Sequence, residues 1–138
     1  MNFSGKVLLV DDETHIRKFV GLVLKKFCTP TILEACDGVV ALALYAQEKP
    51  DLVLLDVNMP NLDGLQTLER LLQIEPDANI VMLTSLANRQ TIEDCVRLGA
   101  LGYIRKDTPK DELAAELQSI MQECLGEDAL PTPSQLPS

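Results

Sequence analysis

Short runs of apolar residues alternate with helix-like hydrophobic patterns five times along the chain. The first run, Val7 to Val10, is continuously apolar, which is typical of a strand buried on both faces of a sheet. In the next segment, apolar residues from Ile16 to Phe27 recur at spacings of three and four, as on one face of a helix. The whole pattern predicts strands over residues 7–10, 31–35, 52–55, 80–83 and 103–105, and helices over 16–27, 39–46, 65–72, 91–98 and 109–124.

This alternation predicts an α/β fold, in which right-handed crossovers cover both faces of a five-stranded parallel sheet with helices. Turn residues support the boundaries, since Pro30 stops the first helix, Asp63 is placed to cap the third, and Gly99 ends the fourth. Three prolines with Ser and Gln follow Gly126, a composition typical of tails and linkers. We therefore predict one folded domain over residues 4–125, and a tail or the start of a linker over 126–138.

Charge and hydropathy narrow the classes of partner and location. The 138 residues carry a formal net charge of −9, which disfavours direct binding of this domain to nucleic acid or to anionic membrane surfaces. No segment approaches the roughly 20 apolar residues of a membrane span, and Asp11 and Asp12 interrupt the early apolar run, so we expect no signal peptide. Cys28 and Cys36 would lie about 25 Å apart at ~3.3 Å per strand residue, too far for a disulfide. We expect free thiols and a cytoplasmic location.

Four of the predicted strands end in one polar residue or a polar pair. These residues are Asp11 with Asp12, then Asp56, Thr84 and Lys106. Because the carboxyl ends of parallel strands lie at one edge of the sheet, where open α/β sheets bind ligands, we expect these side chains to share one crevice. Three carboxylates repel one another unless a cation lies among them, and Mg²⁺ prefers carboxylates with phosphate oxygens. The set indicates a site for Mg²⁺ and a phosphoryl group, with Lys106 neutralising part of the charge. The alternative for Asp11 and Asp12 alone is that they cap the first helix.

The usual phosphate-binding motifs are missing from the sequence. Neither GxGxxG nor GxxxxGK[ST] is present, which argues against dinucleotide or nucleoside triphosphate binding, and no serine nucleophile elbow appears. An acidic nucleophile after a buried strand also occurs in phosphatases of the haloacid dehalogenase type, which use Asp-x-Asp with the second carboxylate as general acid. Here that second position is Asn58, so turnover chemistry lacks its proton donor and a small-molecule phosphatase is disfavoured.

Five motifs occur in order at compatible spacing: the acid pair after Val10, the segment DVNMPNLDG from Asp56 to Gly64, Thr84-Ser85, Gly99-Ala100, and Tyr103 with Lys106. Together they resemble the receiver domain of two-component response regulators, such as the chemotaxis receiver. The resemblance covers about residues 4–125 and implies a flavodoxin-like, doubly wound sheet with strand order 2-1-3-4-5.

The resemblance implies that Asp56 is a phospho-acceptor. It would take a phosphoryl group from a histidine kinase, a histidine phosphotransfer protein or a small phosphodonor, forming an aspartyl phosphate. Asp12, Asp56 and the main-chain carbonyl of Asn58 would hold Mg²⁺, with Asp11 contributing through the acidic pocket or a water. A domain of this kind catalyses only its own phosphorylation and dephosphorylation, so it is not expected to be an enzyme in the usual sense.

The resemblance also implies a switch. Thr84 and Lys106 would bind phosphoryl oxygens, and Tyr103 would be the aromatic residue that turns inward once Thr84 moves. Hydrogen bonds to charged groups contribute about 1.5–3 kcal/mol each, so two of them approach the ~5.5 kcal/mol that switches a two-state protein. The surface of the fourth helix, fifth strand and fifth helix would then control an output domain or protein that the sequence does not identify. A phosphorylation-dependent homodimer is compatible with the same resemblance.

Three positions bear on how this chain compares with other receivers. Asp107 follows the lysine where the family has proline with a cis bond, and a cis bond without proline costs ~2.5–4 kcal/mol, so strain or a different loop is expected. Asp107 also places a negative charge beside Lys106. Asn58 and Leu86 lie two residues beyond Asp56 and Thr84, where family members tune the phosphoryl lifetime. Because leucine cannot orient an attacking water, we hypothesise slow self-hydrolysis.

Several other features have simpler interpretations. His15, the single histidine, is expected to be a solvent-exposed helix residue rather than a proton shuttle. Tyr103 has a structural alternative as half-buried edge packing. The domain as a whole has one as a receiver-like scaffold that does not turn over phosphate. A basic set on the first helix is interpreted as a solvated face, with kinase docking as the alternative; it comprises Arg17, Lys18, Lys25 and Lys26.

Overall fold

The structure, a computed structural model, describes residues 2–59, 62–85 and 88–129, with side chains described as far as residue 125. Strands and helices alternate along these residues as the sequence predicts. In chain order they are β1 (Lys6–Val10), α1 (Thr14–Leu24), β2 (Thr31–Ala35), α2 (Gly38–Glu48), β3 (Leu52–Asp56), α3 (Gly64–Ile74), β4 (Ile80–Thr84), α4 (Arg89–Leu98), β5 (Gly102–Arg105) and α5 (Lys110–Ala129).

The five strands form one parallel sheet in the order β2-β1-β3-β4-β5, which confirms the predicted topology. The register aligns the strand ends, because Val10 lies opposite Leu55, and the next residue of β3, Asp56, lies opposite Leu83. The carboxyl ends of β1, β3, β4 and β5 therefore meet at one edge, which is where the predicted site residues lie.

Two hydrophobic clusters hold the sheet between its helices. Successive strand side chains point to opposite faces, so Leu9 and Leu54 pack with residues of α1 and α5, whereas Leu8 and Leu55 pack with residues of α2, α3 and α4. Every residue of β3 and β4 is buried. This double burial explains why these strands are continuous apolar runs rather than alternating ones.

The predicted helix caps are present. Asp63 accepts a hydrogen bond from the backbone N–H of Gln66, and the Gln66 side chain accepts one from the backbone N–H of Asp63, which completes a capping box at the start of α3. Gly99 ends α4 with a φ of 110°, a conformation that favours glycine. The capping box fixes where α3 begins, at the sheet edge that carries the predicted site residues. Gly99 fixes where α4 ends, at the opposite edge.

Most helix ends lie within two residues of the predicted ranges, and two helices end farther from them. The helix α1 ends at Leu24, because the N–H groups of Lys26 and Phe27 bond three residues back, to Val23 and Leu24, and tighten the chain. Phe27 still packs against the core, which is why it belongs to the apolar stripe. The helix α5 continues to Ala129, past the domain boundary predicted at residue 125. The predicted tail from residue 130 onward lies outside the described residues and stays a prediction.

The cysteines and the hydropathy agree with the sequence interpretation. Cys28, Cys36, Cys95 and Cys124 are all free thiols, as expected for the first two from their strand positions. Within residues 2–59, 62–85 and 88–129, no helix has both the length and the apolar character needed to cross a membrane.

Candidate functional site

The sheet edge brings the predicted site residues together. Asp56 and Thr84 are the last residues of β3 and β4, while Asp11 and Lys106 directly follow β1 and β5. Backbone hydrogen bonds extend the sheet beyond two of these strands, since Asp11 N–H donates to the carbonyl of Ala35 at 3.1 Å and Lys106 N–H donates to that of Thr84 at 2.9 Å. The positions of these side chains are thus fixed by the sheet itself.

Lys106 forms ion pairs with two buried carboxylates. Its Nζ lies 2.8 Å from Oδ2 of Asp11 and 2.9 Å from Oδ2 of Asp56, and Glu13 Oε1 is farther away at 3.8 Å. The side chains of Asp11 and Asp56 are each 1% exposed and that of Lys106 is 10% exposed. Burial of this kind strengthens the attraction between Lys106 and each carboxylate, and it also strengthens the repulsion between the two carboxylates. Lys106 is therefore the cation that neutralises part of the acidic pocket, as predicted.

The residues fit a divalent cation. Asp11, Asp12 and Asp56 each offer one carboxylate oxygen, and these three atoms lie within 4.8 Å of one another. Opposite ligands of Mg²⁺ lie about 4.2 Å apart, at twice the usual ~2.1 Å bond length, so small movements bring the oxygens into range. Three negative charges and the one positive charge of Lys106 leave a local charge of two negatives. Oxygen donors with that balance suit Mg²⁺, whose remaining positions water and a phosphoryl oxygen would fill.

Burial and the close charges in the pocket shift the pKa values of Asp56 and Lys106. Burial raises the pKa of Asp56 to about 6, the hydrogen bond from Lys106 opposes this rise, and repulsion from Asp11 adds to it. Burial alone would lower the pKa of Lys106, but its hydrogen bonds to Asp11 and Asp56 and the attraction of both carboxylates raise it overall. Lys106 is therefore charged at neutral pH, and Asp56 is a carboxylate that one ammonium group stabilises incompletely.

The remaining oxygens of the two buried acids bond to the backbone. Oδ1 of Asp11 accepts from the N–H of Glu13 at 2.8 Å, and Oδ1 of Asp56 accepts from the N–H of Asn58 at 3.1 Å. The N-cap of α1 is Glu13, which makes no side-chain capping bond. The helix-cap alternative therefore does not explain Asp11 and Asp12, whose oxygens instead contribute to the cluster with Asp56.

The other predicted site residues differ in their exposure to solvent. Thr84 is buried at the end of β4, and Asn58 is exposed just past β3. Tyr103 is 42% exposed on the edge strand β5, so in this structure its ring does not point inward. The predicted lifetime-tuning residue Leu86 lies outside the described residues.

Asp107 does not affect Lys106 as its position in the sequence suggests. Its carboxylate accepts two hydrogen bonds from the guanidinium of Arg105, each at 3.0 Å. That pairing raises the pKa of Arg105 and lowers that of Asp107. The expectation of a negative charge acting beside Lys106 is corrected accordingly, because Arg105 takes up that charge. No cis peptide bond occurs within the described residues, so Lys106 and Asp107 are joined by a trans bond.

Two residues with structural roles at the site escaped the sequence interpretation. Gly64 begins α3 against the backbone of β3, where an added Cβ would overlap the carbonyl oxygen of Asp56; its place in a turn motif was the available signal. Arg17 was expected on a solvated face, but its side chain is only 12% exposed and donates to the main-chain carbonyl of Asp11. No periodic signal marks such a contact. His15, in contrast, is exposed as predicted.

Comparisons with known proteins agree with this architecture. The family model described as "Response regulator receiver domain" matches residues 7–118. The chain is 30% identical over 113 residues to the chemotaxis protein CheY of Listeria monocytogenes, a match that covers 82% of this chain and 95% of that protein. It is 35% identical over 117 residues to the uncharacterized transcriptional regulatory protein YhcZ of Bacillus subtilis, covering 82% of this chain but 53% of that protein, so the chain spans about half the length of that relative. A solved structure of the Vibrio cholerae chemotaxis protein CheY4 is similar with a TM-score of 0.78 and 28% identity, covering 86% of this chain and 99% of that one.

Proposed function

The chain belongs to the family of response regulator receiver domains of two-component systems, and from this premise we propose that it is controlled by phosphorylation of Asp56. Membership makes it a signalling domain rather than an enzyme in the usual sense. The proposal that Asp56 is the phospho-acceptor rests on the surroundings of its side chain. Asp56 is a buried carboxylate at the sheet edge, paired with Lys106 at 2.9 Å and clustered with Asp11 and Asp12 within the span of a metal site.

The reaction is a transfer of a phosphoryl group to the Asp56 carboxylate. An oxygen of Asp56 attacks the phosphorus of a phosphohistidine on a histidine kinase or histidine phosphotransfer protein. The new P–O bond forms as the P–N bond breaks, and the electron pair of the P–N bond stays on the imidazole nitrogen. With acetyl phosphate the leaving group is acetate. Mg²⁺, held by Asp11, Asp12, Asp56 and the carbonyl of Asn58, would neutralise and orient the phosphoryl oxygens.

After transfer, the side chains around Asp56 have new partners available. Lys106 can exchange Oδ2 of Asp56 for a phosphoryl oxygen while it keeps Asp11, because its ammonium group is a mobile point charge. Thr84 would donate its hydroxyl to a second phosphoryl oxygen. Two charge-assisted bonds of about 1.5–3 kcal/mol each are comparable with the ~5.5 kcal/mol that reverses a two-state equilibrium. Tyr103, now exposed at β5, would turn inward as Thr84 moves.

The proposed output surface is formed by α4, β5 and α5. Its partner would be an output domain or a separate protein, or a second copy of the chain in a phosphorylation-dependent homodimer. Because the chain spans about half of one regulatory relative and nearly all of a chemotaxis relative, both attached and separate outputs are consistent with the comparisons. We place the domain in the cytoplasm, where histidine kinases present their phosphorylated residues, and propose no direct contact with nucleic acid or membrane, given the net charge of −9.

Incubation with acetyl phosphate and Mg²⁺, followed by intact mass measurement, tests this function. We expect the wild-type chain to gain one phosphoryl group, and the gain to disappear in Asp56→Ala and on chelation of Mg²⁺. Asp77→Ala removes an exposed carboxylate between α3 and β4, at the opposite edge of the sheet, and should be phosphorylated as wild type. A phosphoryl group that persists in Asp56→Ala would refute the acceptor assignment. No gain in the wild type would favour the scaffold alternative.

The lifetime of the phosphorylated form tests the proposed role of Asn58 and Leu86. Leu86 is apolar and cannot orient an attacking water, so we expect slow self-hydrolysis. The decay of the phosphorylated mass after removal of the phosphodonor measures it directly. A lifetime of seconds would contradict this prediction, and Leu86→Glu should shorten the lifetime relative to Leu86→Met.

A further inference from the structure

We propose that Arg17 is a positioning residue for the acidic pocket, because it holds the peptide unit that joins Asp11 to Asp12 and thereby sets the direction of both carboxylates. The consequence for Mg²⁺ rests on the proposed function. The geometric role does not, and it is testable in the metal-free protein.

The guanidinium group of Arg17 bonds three separate parts of the chain. Nη1 donates to the main-chain carbonyl of Asp11 at 2.5 Å, Nε donates to Oε1 of Glu34 on β2 at 2.8 Å, and Nη2 donates to Oγ1 of Thr14 at 3.2 Å. The planar fork of an arginine can satisfy several acceptors in fixed relative directions. Arg17 thus joins the end of β1, the edge strand β2 and the start of α1, next to the pocket but outside it.

The bond from Arg17 completes the restraint of Asp11. The N–H of Asp11 donates to the carbonyl of Ala35, its carbonyl accepts from Arg17, and its Oδ1 accepts from the N–H of Glu13. The remaining oxygen, Oδ2, lies 2.8 Å from Nζ of Lys106. Every backbone polar group of Asp11 is therefore bonded, and the peptide plane leading to Asp12 cannot rotate without breaking the bond to Arg17.

The carboxylate partner of Arg17 lies outside the pocket. Glu34 accepts from Arg17 and also from Nζ of Lys18 at 2.7 Å, and these hydrogen bonds, that from Lys18 first, lower the pKa of Glu34. Arg17, Lys18 and Glu34 together carry one net positive charge, and Arg17 meets the neutral main-chain carbonyl of Asp11 rather than a carboxylate of the cluster. The role we assign to Arg17 is therefore geometric, and an ordinary positive charge at this position should not reproduce it.

The Mg²⁺ dissociation constant, measured by calorimetry on the full chain, tests the proposal. Loss of an outer partner that orients a metal ligand typically weakens metal binding about 10–100-fold, so we expect at least about tenfold weaker binding in Arg17→Met. Arg17→Lys keeps the charge but not the fork, and should bind as weakly as Arg17→Met. The matched control is Lys6→Met: Lys6 also bridges a glutamate and a main-chain carbonyl, at 3.0 and 3.3 Å on Glu48, at the opposite edge of the sheet. It should lose stability without loss of Mg²⁺ affinity.

Amide hydrogen exchange in EDTA tests the geometry without metal. The N–H of Glu13, which donates to Oδ1 of Asp11, should exchange at least about tenfold faster in Arg17→Met and Arg17→Lys than in wild type. It should be unchanged in Lys6→Met. Exchange of core amides in β3 reports global stability in the same samples and separates local release from general destabilisation.

The outcomes distinguish this inference from the proposed function. If wild type does not bind Mg²⁺, the proposed function fails, while the exchange at Glu13 still decides the role of Arg17. Unchanged Mg²⁺ affinity and unchanged Glu13 exchange in Arg17→Met would overturn the inference. Full recovery of both in Arg17→Lys would also overturn it, because the role would then be one of charge. If Arg17→Met does not fold, Arg17→Lys carries the same comparison with wild type.

Discussion

Replacing Asp56 by asparagine is expected to stabilise the metal-free protein at neutral pH, although it removes an ion pair. The carboxylate of Asp56 is buried beside Asp11, where water cannot solvate it. Burial is the largest cause that raises its pKa to about 6 from the ordinary 3.8, and the hydrogen bond from Lys106 does not offset it. Asparagine has nearly the shape of the protonated acid and is neutral at every pH.

The raised pKa gives the direction and size of the effect. The folded protein binds the proton of Asp56 more tightly than the unfolded chain does, so protonation favours folding. The stability from this group is fully present below about pH 4 and is lost as the pH rises through about 6. A difference of about two pKa units corresponds to about 3 kcal/mol. From pH 4 to 8, the free energy of unfolding of wild type should fall by up to that amount relative to Asp56→Asn.

Urea unfolding in EDTA at several pH values from 4 to 8 measures this difference directly. Asp77→Asn, which removes an exposed carboxylate, controls for the change in net charge and should stay close to wild type. A difference in unfolding free energy between wild type and Asp56→Asn that is constant with pH would refute the reasoning. A wild type that is more stable than Asp56→Asn at pH 8 would refute it too. The carboxyl carbon of Asp56 should also titrate near pH 6 by NMR in the absence of metal.

Lys106→Met should lower the free energy of unfolding by about 3–5 kcal/mol at pH 7 in EDTA, because it leaves two acids buried without their cation; a loss below 1 kcal/mol would show that the ion pairs contribute little. Mg²⁺ at one hundred times its dissociation constant should raise the unfolding free energy of wild type by about 2.7 kcal/mol and that of Asp56→Asn by less, and EDTA should reverse the gain. Gly64→Ala should lower stability by about 1–3 kcal/mol in urea, because its Cβ overlaps the Asp56 carbonyl. The control is Gly102→Ala, whose Cβ would lie at an ordinary contact distance of 3.9 Å from Ile120, and it should lower the free energy of unfolding far less. Equal losses at the two glycines would contradict the predicted overlap at Gly64.

The fold and the members of the site were predictable because both follow from local periodicity. Strands buried on both faces must be apolar throughout, so β3 and β4 stand out, and the residue that ends each strand must lie at the ligand-binding edge. This reasoning predicts that Asp56 and Lys106 lie together, and the two side chains are in contact at 2.9 Å. Helix ends were less predictable, since the last turn of α1 tightens through backbone bonds that apolar spacing does not encode.

The contacts of the charged side chains could not be predicted from spacing. Asp107 adjoins Lys106 in sequence, but both residues lie in the turn after β5, which the bond from the N–H of Thr108 to the carbonyl of Arg105 closes. This turn brings the carboxylate of Asp107 to the guanidinium of Arg105, whereas Lys106 contacts Asp56. Arg17 lies between apolar positions of α1 and was interpreted as solvated. Its long stem carries the guanidinium to Asp11, just after β1, and to Glu34 on β2, which no pattern within the helix reveals.

The two cations beside the acidic pocket have different chemistry, and the difference suits different tasks. Arg17 is fixed by three acceptors, one of them a main-chain carbonyl, so it cannot follow a change at Asp56 without releasing the backbone. Among the described residues, Lys106 pairs with side-chain oxygens of the acidic cluster, through a single ammonium group on a flexible stem. If Asp56 is phosphorylated as proposed, Lys106 could therefore move from a carboxylate oxygen to a phosphoryl oxygen. The proposed function requires acids that are held still and one ion pair that changes, so it would use both kinds of cation. Lys106→Arg should impair the change of ion pair, because a planar fork must align with two fixed acceptors at once.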